Sequence, residues 1–263
     1  MVRESAGWRS QRSSLSQVDR ARLPETTMSN GPRLPAELLD DVVDLLHDAQ
    51  HALEGCCLVS KSWIPRTRKH LFASVKFSTA KSLESWKNTF PDPSTSPARY
   101  TKTLSISCFY AVTVADVQAG GWIRTFSRVS HLTVHHLYGG GFAAPPPLRF
   151  FDFILSLPLL ENLNASIRED LANDDEGSEG SSPPVQSSSP PRFTGSLELS
   201  YPGTKHISRR LLSLPGGIHF RKLILKWSKA EDLSLTMALV EGCSHALESL
   251  DITHVSRCTS ICV

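Results

Sequence analysis

Apolar residues between positions 33 and 73 recur at spacings of three and four, which is the period of an amphipathic helix. Pro35 suits a first helical turn, where its missing N–H costs no hydrogen bond, and His47-Asp48 interrupts the pattern. A first helix is therefore predicted between Pro35 and Leu46. Its apolar positions are Leu38, Leu39, Val42, Val43, Leu45 and Leu46.

Two further short helices are predicted after this interruption. The second has Leu53, Cys56, Cys57, Leu58 and Val59 as its apolar positions. Ile64-Pro65 begins the third, which ends at Leu71-Phe72. Three short helices bury too little surface to hide all of these side chains. One apolar face must then pack on the rest of the chain or bind another protein, and the pattern leaves both open.

The same segment resembles the F-box, a motif of about 40 residues. The resemblance rests on the sequence LPAELL, on the pairs VV and LL, and on the later stretches LEGCCLVSKSW and RKHLF. The matching residues are Leu34, Pro35, Glu37, Leu38, Leu39, Val42, Val43, Leu46, Leu53, Cys57, Leu58, Val59, Ser60, Lys61, Trp63, Leu71 and Phe72. The chain departs mildly at Val42-Val43, where the family often carries a larger residue such as Phe.

The resemblance implies an adaptor for ubiquitin ligation. An F-box binds a Skp-type linker, which docks on a cullin scaffold that carries a RING protein and a ubiquitin-conjugating enzyme. Transferred to this chain, the linker-binding residues are expected to be Leu34, Pro35, Leu38, Leu39, Val42, Leu58, Val59 and Trp63. The rest of the chain would hold an unidentified target protein.

A degenerate repeat follows the helical segment. The pattern apolar-x-x-Leu-x-apolar recurs in TKTLSI, VSHLTV, LENLNA, TGSLEL, FRKLIL and LESLDI. Its fourth position falls at residues 104, 132, 163, 197, 223 and 250, in steps of 28, 31, 34, 26 and 27. Leucine-rich repeats have periods of roughly 20–29 residues, with a strand and a helix in each unit. Helical stretches are predicted between the strands at 122–129, 148–157, 209–214 and 232–240.

The repeat is imperfect, because its ninth position carries neither Asn nor Cys in any unit. An ordinary α/β domain whose strands happen to read Leu-x-Ile is the alternative. The predicted fold class is nevertheless α/β: a three-helix F-box followed by a short leucine-rich-repeat-like solenoid. The predicted regions are a disordered tail (1–32), the F-box (33–73) and the repeat region (97–258), with a disordered acidic and Ser/Pro-rich insertion at 169–192.

Composition narrows the functional classes. The net charge of +2 favours neither nucleic acid nor a membrane surface as a partner. No apolar run reaches the roughly 18 residues of a membrane span, and no apolar N-terminal run indicates secretion. An intracellular protein, cytoplasmic or nuclear, with reduced cysteines is expected.

Catalytic chemistry is not predicted. His131, His135 and His136 lie on a strand-like pattern without a neighbouring carboxylate or cysteine, so strand-surface histidines are favoured over a zinc site. Gly139–Gly141 lacks the Lys-Ser/Thr of a phosphate loop, and there is no Gly-x-Ser-x-Gly elbow. No enzyme, cofactor or metal is expected. The alternative to the ligase adaptor is a repeat-based interaction protein that engages no ligase.

Overall fold

The computed structural model describes residues 35–108, 111–118, 121–135, 150–166, 193–200, 204–214, 216–227 and 233–254. The described residues from Ala36 onward belong to one compact unit, distinct from Met1–Pro35. The predicted tail (1–32) and insertion (169–192) lie outside the described residues.

The three helices predicted near the start of the chain are confirmed. They are α1 (Ala36–Leu45), α2 (Gln50–Val59) and α3 (Ile64–Leu71). Pro65 occupies the first turn of α3, where it needs no hydrogen-bond partner, and the basic residues of its last turn complement the helix dipole. Both α1 and α2 pack against α3. Helix α3 therefore holds α1 and α2 in place relative to each other.

A strand and a helix that the sequence pattern did not predict come next. Strand β1 (Ser74–Phe77) buries Val75 and Phe77. Helix α4 (Ala80–Thr89) begins with a capping box, in which the side chains of Thr79 and Ser82 each accept from the other's backbone N–H. β1 is only four residues long, so it gives a weak periodic signal.

The strands form one parallel sheet, and their spatial order is their order along the chain, from β1 to β7. Six of them fall where the apolar-x-x-Leu-x-apolar pattern predicts. These six are β2 (Thr103–Ile106), β3 (His131–His135), β4 (Asn162–Ser166), β5 (Ser196–Ser200), β6 (Lys222–Trp227) and β7 (Ser249–His254). The predicted α/β class is confirmed.

The register aligns the repeated leucines in one row across the sheet. The row consists of Val75, Leu104, Leu132, Leu163, Leu197, Leu223 and Leu250. A second row, two residues further along each strand, runs from Phe77 to Ile252 through the same pairs. Because side chains alternate between the two faces of a strand, both rows point to one side, and their residues from β1 to β6 belong to the core.

Helical segments in the strand connections cover this apolar side. They are α5 (Val114–Val117), a 3₁₀ turn (Trp122–Thr125), α6 (Phe150–Leu155), α7 (Thr204–Leu212) and α8 (Leu233–Cys243). Phe126 and Phe153 of these connections are fully buried against the strands. The stretch predicted as helix at 122–129 is only a single 3₁₀ turn, and α7 begins five residues before the predicted start.

An aromatic cluster joins the helical segment to the sheet. Phe72, which caps α3, lies edge-on to Trp86 of α4 and to Phe90, the residue after α4, with ring centroids 5.9 and 6.3 Å apart. Phe77 of β1 contacts Trp86 and also Trp122, both at 5.6 Å. Edge-to-face pairs of this kind contribute beyond the area they bury. The cluster therefore fixes the end of α3 to the first strand of the sheet.

Candidate protein-docking surface

Helix α1 carries two apolar stripes, one buried and one exposed. Val43 is fully buried, and Leu39 and Leu46 are partly buried beside it. Leu38, Val42 and Leu45 lie at i, i+4 and i+7, so they share another face of the helix, and all three are exposed. The broad apolar pattern of α1 thus combines an inner stripe that holds the fold and an outer stripe that faces solvent.

The end of α2 shows the same exposure. Its inner residues, Leu53 and Cys56, are buried, but its last two residues are not. We refer to the exposed apolar residues of the two helices as the apolar surface. It consists of Leu38 (50% exposed), Val42 (46%), Leu45 (82%), Leu58 (90%) and Val59 (71%).

Four of the eight predicted docking residues belong to the apolar surface: Leu38, Val42, Leu58 and Val59. Pro35 is exposed just ahead of α1, whereas Leu39 and Trp63 are partly buried. Leu34 lies outside the described residues. Leu45 also belongs to the apolar surface but was not among the predicted docking residues, although its spacing of three and seven from Val42 and Leu38 was a usable signal.

Charged side chains tie α1 to α3 beside the apolar surface. Arg66 Nε donates to Asp44 Oδ1 at 2.6 Å, and Arg66 Nη2 donates to Asp44 Oδ2. His70 Nε2 lies 2.7 Å from Asp44 Oδ1. The hydrogen bonds from Arg66, and to a smaller extent the one with His70, hold the pKa of the Asp44 carboxyl far below its usual range. Asp44 is therefore ionised at any physiological pH.

The outward face of the sheet is a second candidate surface, and it is mostly polar. Its central row is Lys76, Ser105, Thr133, Asn164, Glu198, Ile224 and Asp251, one residue from each strand. Glu198 has both oxygens engaged, since Asn164 Nδ2 donates to Oε2 at 2.8 Å and Lys226 Nζ donates to Oε1 at 2.6 Å. This face presents hydrogen-bonding groups with partly neutralised charge.

In the described part of the chain, the side chains that could bind a metal ion are not clustered, and the thiols of Cys108 and Cys243 are buried. Among the described residues, no three His, Cys, Asp or Glu side chains come together as a metal site. His131 and His135 share the outward face of β3, as the strand pattern predicts, and His136 lies outside the described residues. Burial raises the pKa of the Cys108 and Cys243 thiols, which makes both poor nucleophiles.

None of the helices in the described part of the chain is both long and apolar enough to cross a lipid bilayer. Comparisons of the chain with protein-family models, with curated proteins and with solved structures find no significant match.

Proposed function

We propose that this chain is a substrate-recruiting adaptor of a Skp-cullin-F-box ubiquitin ligase. The observation that carries the proposal is the apolar surface, because four of its five residues (Leu38, Val42, Leu58 and Val59) coincide with positions of the F-box pattern in LPAELL, VV and CCLV. Large apolar side chains exposed on surface helices are typical of protein-binding sites, and α1 and α2 both pack on the same helix, α3. The proposed partner is a Skp-type linker protein.

Docking would be driven by burial of the apolar surface. A standard protein interface covers about 1,600 Å² in total, and a few large side chains supply most of its energy. Each Leu or Val that passes from solvent to a buried site contributes roughly 2 kcal/mol. In this account Leu38, Val42 and Leu45 of α1 and Leu58 and Val59 of α2 are the anchors. Val43 and Leu53 hold the helices that present them.

The target protein is proposed to bind the polar outward face of the sheet. The seven parallel strands in sequential order place two rows of outward side chains side by side across the sheet, and a third row from β3 to β7. A row of hydroxyls, amides and charges offers many hydrogen-bonding partners to an extended or folded surface. No covalent step is assigned to this chain. Its contribution would be to raise the effective concentration of target beside the conjugating enzyme.

The experiment is complex formation with a purified Skp-type linker, measured by size-exclusion chromatography with light scattering. The wild-type chain is expected to form a one-to-one complex. Leu58→Asp and Leu38→Asp place a charge on exposed positions, so each should weaken binding at least about tenfold while the chain stays folded. The double variant Leu38→Asp, Trp63→Ala should abolish the complex.

Leu159→Asp is the matched control. Leu159 is 56% exposed, much like Leu38, but it lies after α6 rather than on the apolar surface. This variant should bind the linker as the wild type does. Absence of any wild-type complex, or equal binding by all the variants, would exclude the adaptor function and leave a repeat-based interaction protein that engages no ligase.

A further inference from the structure

The contact between Asp44 and α3 lies where an acidic residue is otherwise unfavourable. Asp44 is in the last turn of α1, at the negative end of the helix dipole, and that turn contains no basic residue of its own. Arg66 supplies the missing positive charge from α3, and His70 adds a hydrogen bond. They are four residues apart, so they lie on one face of α3 and reach the same carboxylate.

The geometry of the contact is restrictive. Arg66 engages both oxygens of Asp44 through two nitrogens, which fixes the carboxylate in the plane of the guanidinium. His70 adds a third hydrogen bond from the other end of α3. Asp40, one turn earlier on α1, lies 3.7 Å from Arg66 Nη1. The side chains of Asp44, Arg66 and His70 are each at least three-fifths buried, so solvent competes only in part for these bonds.

Helix α1 depends on such support. With ten residues it is shorter than the roughly 12–15 residues that an isolated helix needs in water. Its exposed stripe contributes little to holding it on the described chain, since Leu38 and Val42 are only about half-buried and Leu45 is 82% exposed. Two residues fasten α1: Val43 by its burial and Asp44 by its contact with α3. In the sequence they lie between Val42 and Leu45 of the outer stripe. The orientation of the outer stripe is therefore set by how α1 is fastened to α3.

We propose that Asp44, Arg66 and His70 form a charge clamp that holds α1 on α3, so that the outer stripe of α1 is already oriented for docking. This inference rests on the proposed function, because it assigns these three as positioning residues for the same surface. None of them needs to touch the partner. The clamp reduces the ordering that binding would otherwise require.

The test separates positioning from direct contact through rates. Asp44→Ala should slow association with the Skp-type linker roughly three- to tenfold, because free chains must first reorder α1. Its dissociation rate should stay near the wild-type value, since the bound partner then holds α1 in place. Leu58→Asp, which removes an anchor, should instead accelerate dissociation. Surface plasmon resonance measures both rates.

Variants of Arg66 test the clamp as a unit. Arg66→Ala should reproduce the effect of Asp44→Ala, and the double variant should be no worse than either single one. Arg66→Lys keeps the charge but loses the two-pronged contact, so it should fall between wild type and Arg66→Ala. Glu248→Ala is the control: it removes an exposed carboxylate 3.8 Å from Arg221 and should change neither rate.

Amide hydrogen exchange of the free chain provides a readout that needs no partner. Asp44→Ala should speed exchange in Val42–Leu46 several-fold and leave the strands unchanged. Faster exchange together with wild-type association overturns the proposal, as does unchanged exchange in α1. If the wild-type chain binds no linker, the proposed function fails. Unchanged α1 exchange would then reject the clamp separately, whereas faster exchange would retain it as a device that orients α1.

Discussion

The two parts of the compact unit treat their apolar side chains differently. In the sheet, the leucines at the repeated position of β2 to β6 are almost completely buried, and helical segments cover them. On α1 and α2, similar residues at equally regular spacing are divided between a buried and an exposed stripe. Regular spacing therefore predicts which element forms, whereas only the packing of the whole chain decides which apolar stripe stays open.

The last strand shows that the surrounding elements, and not the sequence pattern, decide whether regularly spaced apolar side chains are buried. Leu250 and Ile252 continue the two buried rows, yet both are half-exposed. Within the described residues, β7 has a strand on one side only. Strand β1, at the other edge, still buries Val75 and Phe77, because α4 packs against it. Cover by a helix, and not strand pairing alone, therefore decides whether the pattern is buried.

The largest expected effect comes from the centre of the sheet. Leu197→Ala removes a fully buried side chain between β4 and β6, and the cavity should lower the free energy of unfolding by about 2–5 kcal/mol. Leu58→Ala, on the apolar surface, should change it by no more than about 0.5 kcal/mol. Urea denaturation of the two variants measures both values. Similar losses would show that Leu58 is part of the core.

The adjacent valines of α1 provide a closer comparison. Val43→Ala should cost about 1–3 kcal/mol, because Val43 is fully buried, whereas Val42→Ala should cost less than about 0.5 kcal/mol. Linker binding should show the opposite ranking at the same two positions. Chemical denaturation and titration calorimetry on the same protein samples give both quantities. A Val42→Ala variant that loses stability but binds normally would contradict the division of α1 into two stripes.

A close approach between β4 and β5 predicts a smaller loss. A Cβ at Gly195 would lie 2.3 Å from Asn162 Oδ1, and that oxygen accepts from Ser196 N at 2.7 Å and from Ser196 Oγ at 2.9 Å. Gly195→Ala should therefore displace Asn162 and cost about 1–2 kcal/mol. Adding Asn162→Ala should make the two losses clearly less than additive, because the clash is then relieved. Thermal unfolding of the single and double variants tests this.

The smallest effect concerns acid stability. Burial raises the pKa of Asp116, but hydrogen bonds from Lys87 and Thr113 outweigh it and hold the pKa below its ordinary value. A lowered folded-state pKa stabilises the fold above the unfolded value of about 3.9, and this stabilisation is lost as pH falls through the folded value. Asp116→Asn should reduce stability by about 1 kcal/mol at pH 7, with a difference from wild type that shrinks below pH 4. Denaturation at several pH values measures the difference.

Sequence reasoning reached the elements that repeat. The six strands, their aligned leucines and the three short helices all follow from apolar spacing. It failed for β1 and α4, because β1 offers only Val75 and Phe77 as a signal and becomes a strand by pairing with β2. The predicted docking set also omitted Leu45, although its spacing from Leu38 and Val42 places all three on one helical face.

The contacts that position the apolar surface could likewise not be predicted from the sequence. Asp44 and Arg66 are 22 residues apart, and nothing in the local pattern links an acidic residue at the end of α1 to a basic residue in α3. The aromatic cluster around Trp86 depends in the same way on α4, which the pattern did not reveal. Long-range pairs of this kind require coordinates.

The most direct test maps which residues of the chain a Skp-type linker protects from amide hydrogen exchange. Amide exchange should be compared with and without a saturating amount of the linker. Slower exchange is expected in α1 and at the end of α2 around Leu58 and Val59, with strands β3 to β6 unchanged. Protection confined to the sheet, or no protection on α1 and α2, would contradict the claim that the apolar surface is a docking site.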